Sequence, residues 1–154
     1  FRAYAKDSYG LELDEGQARD ARAAFFRTFP GIDAWHRSIG ALGRREPPVS
    51  VQTAMGRKKR FDEGNFSYSA ALNIPVQGTA AEGFKAAMMR LHRELPTLGG
   101  RGVLCVHDEY VAEVPADRGD EGRALVERCM REAMAELVPS VPIVVEAELA
   151  PHWH

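Results

Sequence analysis

Apolar residues recur at helical spacing in several stretches of this chain and form short strand-like blocks between them. Ala21, Phe25 and Phe29 share one helical face of Ala18 to Phe29, with Ala18 and Ala24 nearby. Asp14-Glu15-Gly16-Gln17, just ahead, has the spacing of a capping box, with Asp14 as N-cap and Gln17 reaching back. Pro30-Gly31 breaks that helix. Ile32, Trp35, Ile39 and Leu42 form a second stripe, ended by Gly43 and Pro47-Pro48. Val49 to Thr53 alternates and is β-branched, Met55-Gly56 is a turn signal, and Arg57 to Phe61 returns, so the pattern predicts a hairpin. Asp62 to Asn65 reads as loop. Tyr68 to Leu72 reads as a short helix interrupted by Pro75, and Val76 to Leu95 as a long one stopped by Pro96 and Gly99-Gly100.

Val103 to Val106 and Tyr110 to Val114 are two strands joined so closely that they predict a second hairpin, with His107, Asp108 and Glu109 at its bend. Arg118 to Leu137 predicts an amphipathic helix with Leu125, Cys129, Met130, Ala133 and Leu137 inward. Pro142 to Leu149 predicts a last strand, and Trp153 closes the chain. This order predicts an α+β fold, with helices packed on one face of a small antiparallel β-sheet.

Composition narrows the function. The 154 residues are 45% hydrophobic and 27% charged, which fits one soluble globular domain and argues against disorder. A net charge of −2 excludes a globally basic nucleic-acid binder. It does not exclude a local patch. Residues 41–60 hold Arg44, Arg45, Arg57, Lys58, Lys59 and Arg60 against the single acid Glu46, whereas residues 101–154 have an excess of acids. That asymmetry fits a polyanion partner, or a solvated hairpin tip. No run of about 18 apolar residues exists to span a membrane. The start lacks the apolar core of a signal peptide, and Phe1 in place of Met reads as a piece of something longer or a processed product. Cys105 and Cys129 are expected to be small core residues in a reducing cytoplasm.

Three stretches carry candidate chemistry. Asp108 and Glu109 are adjacent carboxylates, which repel by about 4 kcal/mol at 4 Å in an effective dielectric near 20. A cation relieves this, and Mg²⁺ takes such hard oxygen ligands; an exposed acidic tip is the plainer alternative. Asn73-Ile74-Pro75-Val76-Gln77-Gly78-Thr79-Ala80-Ala81 sets two amides around a proline break. Amides offer donors and acceptors together and suit base edges and the minor groove, or else cap and pack helices. Thr53-Ala54-Met55-Gly56-Arg57-Lys58-Lys59-Arg60 fits phosphate contacts. Phe61, Phe66 and Tyr68, which follow, read as core filling ahead of stacking platforms.

Together these stretches resemble the C-terminal part of the DNA polymerase I family, the family A DNA polymerases. Asn73 to Ala81 is similar to the family's N-x-P-x-Q-G-T-A-A-D segment, and Val106-His107-Asp108-Glu109 to its motif C, V-H-D-E. Phe25-Phe26-Arg27-Thr28-Phe29-Pro30-Gly31 with Trp35 resembles its F-F-x-x-[FY]-P-G-x-x-x-[WY] helix pair, and Thr53 to Lys58 resembles T-x-x-G-R-R. The resemblance covers nearly the whole chain in order.

It implies a palm portion with part of the fingers: residues 1–48 as fingers-side helices, 49–62 as a basic hairpin and 63–154 as palm. It implies template-directed nucleotidyl transfer by a two-metal mechanism, in which the primer 3′-hydroxyl attacks the α-phosphate of a deoxynucleoside triphosphate. Asp108 is then a Mg²⁺ ligand and Glu109 supports the metal site. His107 contacts the primer terminus, Gln77 and Asn73 touch the minor-groove side and template of the new pair, and Arg57 and Lys58 lie near the duplex backbone. The partners implied are primer–template DNA, deoxynucleoside triphosphates and the upstream remainder of the polymerase, with no membrane. Two positions depart from the pattern: Ser69 stands where the family often has arginine, and Glu82 replaces the aspartate of T-A-A-D. The other metal-binding aspartate and the helix that grips the triphosphate are expected upstream, so the chain alone is expected to be inactive. A free-standing, catalytically incomplete duplex- or partner-binding module is the competing reading. A metal-dependent nuclease using Asp108 and Glu109 leaves Asn73 to Ala81 unexplained.

Overall fold

The computed structural model describes residues 2–153 and resolves the chain into two compact units. One holds the residues up to Val49 together with Phe61–Leu72; the other holds Ser50–Arg60 and the chain from Asn73 onward.

The first unit begins with helices α1 (Arg2–Tyr9), α2 (Glu15–Thr28) and α3 (Pro30–Leu42). Nothing in the sequence pattern announced α1. The capping box is present: Gln17 N donates to Asp14 Oδ1 at 2.8 Å and Asp14 N to Gln17 Oε1 at 2.9 Å. Phe29 ends α2, donating its N–H to Phe25 O at 2.9 Å, and Pro30 then opens α3, where its missing N–H is no loss. Ile39 is the buried residue of α3, whereas the Phe25 and Phe29 stripe of α2 stays nearly half exposed. Phe61 is buried and meets Phe66 edge-on at 5.4 Å, so core filling describes that pair. Tyr68 is exposed and shares a 3.0 Å hydrogen bond with His36 Nδ1.

Strands β1 (Val49–Gln52) and β2 (Lys58–Phe61) form the expected hairpin. Helix α4 (Tyr68–Glu94) then runs without the predicted interruption, carrying Pro75 inside it. An interior proline costs about 3 kcal/mol. Buried Ala71, Thr79 and Glu82 hold the helix on both sides of the break, and Thr79 Oγ1 donates to Pro75 O. Tertiary packing outweighs the local penalty. A 3₁₀ turn, Leu95–Leu98, follows at Pro96.

Strands β3 (Arg101–Val106) and β4 (Glu109–Glu113) make a second antiparallel hairpin, and α5 (Gly119–Leu137) follows. The strands therefore form two separate two-stranded sheets in place of one. The second unit's core is Leu91, Leu95, Leu125 and Cys129, with Tyr110, Ala112, Val114, Val126 and Met130 packed against it. Each such aliphatic side chain contributes about 1.5–3 kcal/mol on burial. Gly122 admits Val114, whose Cγ1 would lie 2.9 Å from an added Cβ.

Two further expectations fail. Cys105 is exposed, one residue from the end of β3. Residues 142–149 form no strand. Ile143, Val145 and Ala147 are half-buried and alternate with exposed Val144, Glu146 and Glu148, so the period-2 pattern survives. A strand also needs a ladder partner, and that segment pairs with no other described residue. Among the described residues no helix is long and apolar enough to cross a membrane.

Candidate catalytic and nucleic-acid-binding site

The β3–β4 register pairs Val106 with Glu109, leaving a two-residue turn, His107-Asp108. Glu109 is thus the first residue of β4 and not part of the bend. A two-residue hairpin loop needs a left-handed residue to match strand twist. His107 takes that place with φ 55, the one non-glycine at positive φ among the described residues. Histidine is enriched there, but such strain is of order 1–3 kcal/mol and clusters at functional sites.

A bulge lies upstream. Gly102 pairs with Ala112 and Leu104 with Val111, so Val103 is the extra residue. The bulge shifts the alternation of β3 by one. Gly102 and Cys105 share the face of Tyr110 and Ala112, which packs on the core. Glu109 falls on the other face, with Val106, Leu104 and Val111. Tyr110 lies across Gly102, and burial raises its phenol above the usual pKa.

Gly100 N donates to Leu95 O at 2.9 Å, and Cys105 Sγ lies 3.8 Å from Met88 Sδ. Strand β3 therefore starts beside Leu95 and reaches Met88 near its end. Asn73 and Gln77 sit in the N-terminal half of α4, four residues apart on one face, both exposed. The same stripe continues through Phe84 and Met88 to Leu91. His107, Asp108 and Glu109 are exposed at the tip.

Arg57 and Lys58 stand apart from both groups, at the end of the 53–57 turn and the start of β2. That turn is seated on α4 by buried Thr53, Thr79 and Glu82. Thr53 Oγ1 donates to Glu82 Oε1 at 2.8 Å, and Ala54 N donates to Thr79 Oγ1 at 2.9 Å. Met55 N donates to Glu82 Oε2 at 3.3 Å. Gly78 makes room: its absent Cβ would lie 2.5 Å from Thr53 Cγ2. Sequence reasoning named Glu82 only as a departure and did not see this seat. Its signal was the spacing of Gly78, Thr79 and Glu82, on the face opposite Asn73 and Gln77.

Asp108 and Glu109 supply hard oxygen donors, and one or two carboxylates with waters and substrate phosphates are what Mg²⁺ commonly takes. The residues fit part of such a site. Among the described residues no group of three or more His, Cys, Asp or Glu is placed to hold a metal ion.

The family model described as DNA polymerase family A matches residues 6–154. The chain is 31% identical to the DNA polymerase I of Aquifex aeolicus over 152 residues, covering 97% of this chain and 26% of that protein. It is 37% identical to the thermostable DNA polymerase I of Thermus thermophilus over 138 residues, covering 84% of this chain and 16% of that protein. The chain thus spans about a quarter or less of these relatives. Among solved structures it is similar to the POL domain of Pol1 from M. smegmatis in complex with DNA primer-template and dNTP. The TM-score is 0.68 at 27% identity, over 79% of this chain and 23% of the other.

Proposed function

The chain belongs to DNA polymerase family A, and on that premise we propose that it supplies one catalytic hairpin and the pair-checking helix of a DNA-directed DNA polymerase. The activity is that of the longer protein, a nucleotidyltransferase acting on primer–template DNA and deoxynucleoside triphosphates in replication or repair in the cytoplasm. The observation that carries this reading is the His107-Asp108 turn. A left-handed histidine closes a two-residue turn in which Asp108 is exposed, with Glu109 exposed beside it at the start of β4.

In this reading the primer 3′-hydroxyl loses its proton and attacks the α-phosphate, a new P–O bond forms, and pyrophosphate leaves. Family A DNA polymerases use divalent metal ions. Bound Mg²⁺ supplies Lewis-acid stabilisation of the charge that develops on the transferring phosphoryl group. Asp108 would hold it, together with a carboxylate from outside residues 1–154. Glu109 supports the site from the start of β4. His107 contacts the primer terminus, held there by the turn and not by rotamer choice alone. Gln77 and Asn73 read the minor-groove side of the new pair, where acceptors on A·T and G·C pairs are nearly alike, so the amides test shape more than sequence. Arg57 and Lys58 contact duplex phosphates. Residues 1–48 lie on the fingers side, 49–62 form the basic hairpin, and 63–154 belong to the palm.

The test is Asp108→Asn in the full-length protein. Single-turnover primer extension should fall by about a thousandfold or more, with the primer–template dissociation constant within about twofold. Near-normal turnover in the variant would remove Asp108 from the metal site and sink the proposal.

A further inference from the structure

Glu82 is 5% exposed, on a helix face that points away from Asn73 and Gln77. Burying a carboxylate is expensive unless charge and hydrogen bonds compensate it. Among the described residues its partners are Thr53, Met55 and Arg57, in one five-residue turn. Oε1 accepts from Thr53 Oγ1 at 2.8 Å and lies 3.4 Å from Arg57 Nε; Oε2 accepts from Met55 N at 3.3 Å. Thr53 Oγ1 in turn accepts from Arg57 N at 3.1 Å. Two of these contacts need only a neutral acceptor. The Arg57 contact alone calls for negative charge.

The Arg57 side chain remains 65% exposed. Its Nε edge is tethered and the rest of the fork faces solvent. A guanidinium held along one edge loses less freedom when the other edge binds an anion, because its orientation is already set. Gly78 and Thr79 hold the same turn from below, so the tether starts from a fixed base.

We propose that Glu82 is a positioning residue for nucleic-acid binding: its buried carboxylate orients Arg57 so that the outer edge of the guanidinium meets a phosphate of the duplex. This rests on the polymerase reading above. Glu82 touches neither substrate nor metal and acts through Arg57.

The experiment measures primer–template binding by fluorescence anisotropy from low to moderate salt. It uses the full-length protein and its Glu82→Gln, Glu82→Asp, Arg57→Ala and Glu82→Gln/Arg57→Ala variants. Arg57→Ala should weaken binding about three- to tenfold near 0.15 M salt and flatten the slope of log K against log salt by about 0.9, the signature of one lost phosphate contact. Glu82→Gln should reproduce both changes, the double variant should add little, and Glu82→Asp should retain much of the wild-type slope. Leu125→Ala separates positioning from folding: it loosens the α4–α5 core away from this turn and without a charge change, so it should lower the unfolding midpoint and leave the slope unchanged. If Glu82→Gln keeps the wild-type slope, or its effect adds fully to that of Arg57→Ala, the positioning role is overturned. Wild-type protein that fails to bind primer–template at all would instead overturn the polymerase reading, and the proposal with it.

Discussion

Gly102→Ala tests whether the seat of Tyr110 fixes the hairpin that carries Asp108. Gly102 is not among the glycines at positive φ, so its backbone accepts alanine. On conformational entropy alone the change should stabilise by about 0.5–1 kcal/mol. The added methyl, however, overlaps Tyr110 Oη and lies 2.8 Å from Cζ. Ordinary carbon contacts begin at about 3.4 Å, so the ring must retreat by about 0.6 Å at Cζ and further at its oxygen. Its other side rests on the Leu91, Leu95, Leu125 and Cys129 core, and forcing a group into a packed core costs about 1–3 kcal/mol. The net is a loss of about 0–2.5 kcal/mol, or roughly 0–10 °C in midpoint for a chain of this size. Urea unfolding measures it, with hydrogen exchange of the β3 and β4 amides as the local reporter. Repeating the change in a Tyr110→Phe background removes the worst overlap, so the loss there should fall by half or more. A rise in stability from Gly102→Ala, or an equal loss in both backgrounds, would refute the argument.

Leu91→Ala should cost about 2–5 kcal/mol, since Leu91 is 0% exposed at the centre of the α4–α5 core; Met89→Ala, on the exposed side of the same helix, should stay within about 0.5 kcal/mol in the same denaturation assay. Burial pushes both the Cys129 thiol and the Tyr110 phenol up from their ordinary pKa values. Their contribution to stability is complete below the unfolded pKa values. It is lost as pH rises, beginning where an unfolded thiol ionises, near about 8.5. Denaturation midpoints should therefore fall between pH 8 and pH 10, and Cys129→Ala should fall less steeply. At pH 8 a small alkylating reagent should label exposed Cys105 long before Cys129; equal labelling would show that the core opens.

Local signals carried far where a few neighbouring residues settle the outcome. The Asp14 and Gln17 capping box, the Phe29-Pro30 junction, both hairpins and the inward residues of α5 were legible because caps, proline and periodicity act within a turn or two. For Asn73 to Ala81 and Val106 to Glu109 the residues alone left a chemical and a plain structural role open, and only the resemblance to family A DNA polymerases favoured the first.

Long-range contacts decided the rest. Helix α4 passes through Pro75 because buried residues on both sides hold it there, and no count of local propensity contains that packing. His107 is left-handed and Glu109 lies in β4 because Val106 pairs with Glu109 and leaves only two residues to turn the chain, a register that returns to Gly102 and Ala112 through the bulge at Val103. Glu82 stood out in the sequence only as a departure from T-A-A-D and is a buried anchor, because its partners lie 25 to 29 residues earlier in the chain. Residues 142–149 keep the alternation of a strand without being one. The sequence by itself determined which residues could make strand, turn, cap and carboxylate pair. Only the tertiary structure decided which found partners, because a hydrogen bond or a buried charge is stabilised by the group opposite it, and that group is chosen by the fold.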